Sequence, residues 1–377
     1  MKIFFLFLLI TLNITKVFAN INTTARQAIL IDANSGKVLF QKNSDQKISP
    51  ASMTKIMTTI VAFDLIKSNE ISVDEKFIVS NKAWRMSKSG YSSMFILPND
   101  KISVKNLLKG IIIVSGNDAC IVLAEGIAGT EKAFADLMNE KANEIGLKNT
   151  NFTNSSGIYD GNNFSTVSDI AKMSLYMINN YPKLYKIYSE KNFTWDRTGG
   201  DPIKQGNRNV LLYRNIGADG IKTGHLSDSG YSLAATTQIN ERRIISVISG
   251  TNSSAERTRE SLKLINFAKI RFELFKIPKE INTKIKAWNL TQPFVTANLQ
   301  NDVFISVPKR KKDKIKINLK INEPIKKPIL KDEVIGKADI YFENNLIKSI
   351  NVISSSSLKK ANFFKRFMNS ISFFVWG

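Results

Sequence analysis

The sequence predicts an α/β fold of the α+β kind, with helices packed on an antiparallel sheet and a small all-β domain following. Three observations predict it. Helical periodicity dominates between residues 50 and 190, short strand patterns replace it from 218 to 250, and beyond Pro278 the helical period disappears. With 377 residues and 43% hydrophobic content, the chain is long enough for two domains with separate cores.

The elements follow in order. Residues 1–19 carry Lys2, an apolar run from Ile3 to Leu12 and the ending "KVFA", the pattern of a secretory signal cut after Ala19. The run is too short to span a bilayer. "ARQAILIDANSGKVLF", residues 25–40, reads as a hairpin whose apolar runs flank "DANSG". In "ISPASMTKIMTT", residues 48–59, Pro50 marks a helix start; Met53, Ile56, Met57, Ile60 and Phe63 form the buried side, and Ser52, Lys55 and Thr59 share another face. "VKNLLKGIIIVSGNDACIVLAEGIAG" holds two helices broken at Ser115-Gly116-Asn117, and helical patterns continue over 131–146 and 166–188. "DGIKTGH", "GYSLAATTQI" and "RRIISVISG" read as a three-strand meander with a turn at Asn240-Glu241, able to pair with the first hairpin. An amphipathic run, 255–276, closes this region. Beyond it, Ile315, Ile317, Leu319 and Ile321 alternate with polar residues as in a half-buried strand, and "KADIYFENNLIKSINVI" is a hairpin turning at Glu343-Asn344-Asn345. The expected boundaries are 1–19 for the signal, 20–276 for the first domain, 277–354 for the β domain and 355–377 for a terminal helix.

Formal charge is +22, and the leader contributes only Lys2 and Lys16 to it. For an exported chain this points to anionic lipid surfaces or wall polymers, with a Lys-, Asn- and Ile-rich composition as the other source. The run Lys309–Lys312 has no interleaved aromatics and reads as a solvated loop, so no nucleic-acid partner is expected. One cysteine and one histidine allow no internal disulfide and no His/Cys zinc site; neither metal nor cofactor is expected. Cys120 falls on an apolar helix face as a buried, inert thiol.

Three short stretches carry chemistry: Ser52-x-x-Lys55 on a helix, Ser115-x-Asn117 in the break between two helices, and Lys222-Thr223-Gly224 on a strand. Ser52 is the candidate nucleophile and Lys55 the group that takes its proton, provided burial and a second cation, Lys222, hold the amine neutral. Ser115 is placed to pass a proton to a leaving amine, and Asn117 to hold a substrate amide or Lys55. Lys222 and Thr223 offer a cation and a hydroxyl to a carboxylate, and Gly224 lets a substrate backbone lie against the strand. The backbone N–H groups of Ser52 and His225 are candidate oxyanion donors. The rival base is His225, but no G-x-S-x-G elbow precedes it, which argues against a Ser-His-Asp triad.

Taken together the motifs resemble those of penicillin-binding proteins and serine β-lactamases. With "ISPASMTKIMT", "SSMFI", "SGNDAC", "GLKNTNF", "GIKTGH" and "RFELF" in addition, the chain from about residue 25 onward is similar to the low-molecular-mass D-alanyl-D-alanine carboxypeptidases of the penicillin-binding protein 5 type. That resemblance implies a penicillin-recognising domain, a β-sandwich domain and a C-terminal membrane anchor. It also implies an acyl-enzyme on Ser52 that releases the terminal D-alanine of a peptidoglycan stem peptide, with β-lactams as covalent inhibitors of the same serine. Leu226 stands where the family usually has threonine after K-T-G-H. A class A β-lactamase is disfavoured, because the nearest E-x-x-L-N match, "EIGLK" from Glu144, ends on Lys148. Water and a second peptide amine are both open as acyl acceptors. A catalytically idle wall-binding protein of the same fold is the alternative from another class.

The tail "LKKANFFKRFMNSISFFVWG", residues 358–377, places Phe364, Phe367, Met368, Ile371 and Val375 at helical spacing with Lys360, Lys365, Arg366 and Asn369 on other faces. It reads as an in-plane helix on an anionic leaflet. The protein is then expected at the periplasmic face of the inner membrane, peripherally anchored.

Overall fold

The computed structural model of the chain describes residues 21–196, 200 and 202–376; the expected leader, 1–19, lies outside them. The hairpin β1 (Gln27–Asp32) and β2 (Lys37–Lys42) leads through a 3₁₀ turn, Ala51–Thr54, into α1 (Lys55–Lys67). Strand β3 (Lys76–Ile78), helix α2 (Asn81–Ser87) and strand β4 (Lys101–Ser103) precede α3 (Val104–Ile112), α4 (Asn117–Ala128), α5 (Glu131–Ile145) and α6 (Val167–Asn180). A small hairpin, β5 (Asn192–Trp195) and β6 (Ile203–Gly206), comes before β7 (Ala218–Leu226), β8 (Gly230–Ile239), β9 (Arg242–Thr251) and α7 (Ser254–Arg271).

The main sheet runs β2-β1-β9-β8-β7, so the first hairpin pairs with the last strand of the meander and β7 is left on an edge. Both faces of this sheet are covered, which is why β1 is buried along its whole length rather than alternating. Ile29, Ile31, Ala234 and Val247 face the helical layer of α1 and α3–α6, while Ala28, Leu30, Leu233 and Ile248 pack on Leu264, Ile265 and Ala268 of α7. Helix α1 lies inside the helical layer, and every residue from Lys55 to Phe63 is buried. Over that stretch the helix has no solvated face on which to put a lysine.

Two helical runs end earlier than their periodicity predicts. The run 166–188 breaks at Tyr181, because Pro182 pushes the residue before it out of the helical region (φ −130°, ψ 50°). The run 255–276 stops at Arg271, and Phe272 turns extended (φ −126°, ψ 151°) to begin strand β10 (Phe272–Ile277). Beyond it lie β11 (Thr283–Lys286), β12 (Phe294–Leu299), β13 (Val303–Pro308), β14 (Ile315–Ile321), β15 (Val334–Phe342) and β16 (Asn345–Ser354). Strand β10 pairs with β13, and the other five form a second sheet ordered β11-β12-β16-β15-β14. The two sheets share one core, built on Val295, Leu299, Val303, Ile305, Val307, Ile340 and Val352. The β15–β16 turn places Glu343 and Asn344 at φ 47° and 68°, as a two-residue hairpin turn requires. In β14, Ile315, Leu319 and Ile321 are half-buried as expected, whereas Ile317 is exposed.

Arg242 joins the two sheet systems. Its guanidinium donates to the buried Asp32 carboxylate at 2.8 Å, to the Phe272 carbonyl at 2.8 Å and to Ser306 Oγ at 3.3 Å. Residues 358–361 are laced to the β domain through backbone pairing of Leu358 with Ile329 and of Lys360 with Leu290. Helix α8 (Phe363–Trp376) follows, with Phe363, Phe364, Phe367, Met368 and Ile371 exposed. Among the described residues no helix is long and apolar enough to cross a membrane.

Candidate active site

The turn that carries Ser52 is strained and wedged. Ala51 adopts φ 48°, a left-handed conformation that costs a residue with a Cβ on the order of 1 kcal/mol. Gly157, at φ 79°, presses against it so closely that a Cβ there would lie 1.9 Å from the Ala51 carbonyl oxygen. From this turn Lys55 enters α1 with no exposed surface. Its Nζ has three partners: Ser52 Oγ at 3.0 Å, Asn117 Oδ1 at 2.6 Å and the Ser156 carbonyl at 2.6 Å. Two of these oxygens only accept, whereas a hydroxyl also donates. When the amine is neutral, its two N–H groups go to Asn117 and Ser156, and its lone pair is left facing the Ser52 O–H.

Burial holds the Lys55 amine below its ordinary range, and the Arg208 guanidinium pushes it further down, while Asp118 and Glu131 oppose. Cys120, buried as expected, is pushed up to about 12 by desolvation, so its thiol carries no charge near neutrality. Lys222 is also fully buried and lies well below its usual range, through burial first and then through the charges of Lys55 and Arg208. The expected second cation is thus mainly Arg208: among the charges acting on Lys55 it is the one that lowers it, and Lys222 is itself held down by Lys55.

Ser115 and Asn117 come from the tight link between α3 and α4. Ser115 has φ 65°, and a Cβ on Gly116 would lie 2.8 Å from Asp118 Oδ1 and 3.1 Å from Met94 N, so the link closes only around a glycine. The Asn117 N–H donates to the Ser92 carbonyl at 2.9 Å. The buried Asp118 carboxylate accepts from Ser93 Oγ at 2.6 Å and from the Met94 and Phe95 N–H groups at 2.9 Å each. The "SSMFI" stretch is thereby clamped to the same helix terminus as Asn117.

The third wall is the free edge of β7. Lys222 and Thr223 are buried, and the nearest hydrogen-bond partner of Lys222 Nζ is the Thr223 carbonyl, at 3.5 Å. A Cβ on Gly224 would meet the Pro50 carbonyl oxygen at 3.0 Å and Met53 Cγ at 3.4 Å. The clearance expected for substrate is therefore used by the serine turn. His225 is exposed and stacks on Tyr231, its cross-strand partner, at 4.0 Å; Ser52 Oγ is bonded to Lys55 and not to His225. The walls enclose a cavity of about 660 Å³ lined by Ser52, Ser115, Asn117 and residues 223–227, with Arg208 and Arg257 on its margin. Arg208 and Arg257 bring positive charge to it, and the nearby Asp118 charge is saturated by N–H and O–H donors. Such a site attracts a carboxylate. Among the described residues no three His, Cys, Asp or Glu side chains converge as a metal site requires.

Residues 14–253 match the D-alanyl-D-alanine carboxypeptidase family of peptidases. The chain belongs to that family. Residues 272–360 match the C-terminal domain of penicillin-binding protein 5, as the second core and its β10 start predict. The D-alanyl-D-alanine carboxypeptidase DacA of Haemophilus influenzae is 38% identical over 347 residues, covering 90% of this chain and 87% of that protein. The crystal structure of penicillin-binding protein 5 from Haemophilus influenzae superposes with a TM-score of 0.81 at 36% identity, covering 90% of this chain and 99% of that one. Penicillin-binding protein D2 from Listeria monocytogenes, solved in its cefotaxime-bound form, gives 0.59 at 27% identity over 66% of this chain and 98% of its own.

Within this carboxypeptidase fold the structure brings Ser52, Lys55, Ser115, Asn117, Thr223, Gly224 and His225 around one cavity, with Lys222 buried beneath. It adds residues that the sequence does not single out. Arg208 donates to the Val114 carbonyl at 3.3 Å from the loop after β6. Arg257, on the inner side of α7, donates to Ser254 Oγ at 2.9 Å and packs over Tyr231 at 5.8 Å, and burial pulls it down to about 10. Ser156 contributes only a backbone carbonyl, which no side-chain pattern marks. Asp118 had a signal: a lone carboxylate inside "NDACIVLA", an otherwise apolar helix start.

Proposed function

We propose that the chain acts as a serine-type D-Ala-D-Ala carboxypeptidase on peptidoglycan stem peptides, with Ser52 as nucleophile and Lys55 as base. The observation that carries the reading is the tripod at Lys55 Nζ, in which the only partner able to give a proton is Ser52. Ser52 O–H passes its proton to Lys55 as Oγ bonds to the carbonyl carbon of the penultimate D-alanine. The developing oxyanion accepts from the N–H groups of Ser52 and His225. The proton moves on, with Ser115 Oγ as relay, to the leaving nitrogen; the C–N bond breaks, and D-alanine departs from an ester on Ser52. Water then attacks the ester, gives its proton to Lys55, and Ser52 Oγ takes the proton back as the shortened peptide leaves. The terminal carboxylate is held by Thr223 and the positive field of Arg208 and Arg257, and its own charge favours the protonated form of the buried Lys222 beneath it.

This arrangement also suits a β-lactam, whose strained amide and carboxylate occupy the places of the scissile bond and the terminal carboxylate. Release of D-alanine from a stem pentapeptide by the wild-type protein, and its loss in Ser52→Ala, tests the activity.

For location, the reading is export through the leader and attachment to the periplasmic face of the inner membrane by α8. Supporting it are the run of exposed Phe363, Phe364, Phe367, Met368 and Ile371 beside Lys365 and Arg366, and a length that permits lying on a bilayer rather than crossing it.

A further inference from the structure

We infer that Tyr91 determines how this enzyme discriminates between substrates, by packing its ring against the peptide residue that precedes D-Ala-D-Ala. The inference rests on the carboxypeptidase reading and deepens it. The part of the cavity beside Ser52 and Ser115, bordered by the arginines, takes the terminal dipeptide, and 660 Å³ is more than two alanine residues fill. The free edge of β7 along residues 223–226 offers an unpaired backbone on which an extended peptide can lie, so the rest of the chain leaves through the open mouth.

Tyr91 lines that cavity and stays 51% exposed. Among the described residues its ring has no aromatic or cationic partner and its hydroxyl no hydrogen bond. The backbone that carries this open apolar surface is fixed close by. Gly90, at φ 80°, turns the chain out of the α2 end, and Ser92, the next residue after Tyr91, is fixed through its carbonyl to the Asn117 N–H. Ser93 and Met94 are clamped on Asp118. The backbone that carries the ring is thus tied through one short path to the helix terminus that bears Asn117. Ile158, beside the Lys55-bound Ser156 loop, supplies a second apolar group to the same lining. Tyr91 and Ile158 suit an aliphatic side chain on an extended peptide, in contrast to the cationic border formed by Arg208 and Arg257.

The test compares kcat/KM for N-acetyl-D-alanyl-D-alanine, for diacetyl-L-lysyl-D-alanyl-D-alanine and for a disaccharide pentapeptide, in the wild type, Tyr91→Ala and Tyr91→Phe. Tyr91→Ala should lose about tenfold on the two longer substrates, chiefly in KM, with little change on the dipeptide. Tyr91→Phe should keep the wild-type pattern, because the hydroxyl is unbonded. Equal losses on all three substrates, or none, would overturn the inference, and a loss confined to the disaccharide substrate would assign the ring to sugar instead. Acylation of Tyr91→Ala by a labelled β-lactam at the wild-type rate separates a specificity effect from misfolding. Wild-type turnover of the dipeptide reports the carboxypeptidase reading separately, so the two ideas fail in different measurements.

Discussion

Lys55 Nζ lies 3.0 Å from Ser52 Oγ, at the start of a helix that is buried on all sides as far as Phe63. An amine in such a place is tolerated only if its protons find acceptors, and Asn117 and Ser156 provide two. Replacing Lys55 with alanine removes the proposed base and orphans both acceptors. Acylation by a labelled β-lactam should fall by about 10²–10⁴-fold, the usual contribution of a positioned base, as read from the rate of adduct formation. Acylation within tenfold of wild type would put the base elsewhere.

The downward displacement of Lys55 fixes the sign of the pH dependence. In the proposed mechanism the neutral amine is the active form, so acylation should rise with pH through a midpoint below the ordinary lysine value of 10.5 and then level off. Arg208 lowers this midpoint by its charge, and Arg208→Gln should therefore move it to higher pH. Lys222→Gln should move it less, since burial already disfavours the charge on Lys222. Rate profiles of the two variants decide between Arg208 and Lys222 as the controlling cation.

Gly157→Ala places a Cβ 1.9 Å from the Ala51 carbonyl in a backbone with φ 79°. The serine turn or the Ser156 loop must shift, at a cost of about 2 kcal/mol or more, which corresponds to a melting temperature lower by about 4–8 °C. Because the same loop presents the Ser156 carbonyl to Lys55, acylation should slow as well. Unchanged melting and acylation would show that the loop has slack.

How much of this was legible in the sequence follows from the range over which each feature is encoded. Ser52 and Lys55 sit one turn apart, Ser115 and Asn117 share a three-residue link, and Lys222 to His225 are consecutive, so local spacing reveals them. The alternation and turn residues of the three strands from 218 to 251 were equally plain. Arg208 and Arg257 were not, because each is an ordinary surface-type residue in its own segment and becomes part of the site only when β6, β7 and α7 close around the cavity. The same holds for the reason behind Gly224, which clears Pro50 and Met53 from the far end of the chain. At the α7 end, periodicity alone carried the helix past Arg271, where pairing of Phe272–Ile277 with Val303–Pro308 takes over.

For the terminal helix, the pairing of Leu358 and Lys360 with the β domain means that a deletion must begin at residue 363 to leave that domain intact. Removing residues 363–377 should leave hydrolysis of soluble peptides unchanged and abolish co-sedimentation with vesicles containing anionic lipid. High salt should weaken binding of the full chain, since the cations contribute about 1 kcal/mol each near the surface. A truncated protein that sediments as well as the full chain would refute attachment through α8.

The proposed mechanism turns on a covalent intermediate on Ser52 formed with Lys55 as base. Intact-mass and peptide-mapping measurements after incubation with a β-lactam test it most directly. One adduct per chain, located on Ser52 and absent from Ser52→Ala, is the predicted result. An adduct on any other residue, or none at saturating β-lactam, would contradict the account.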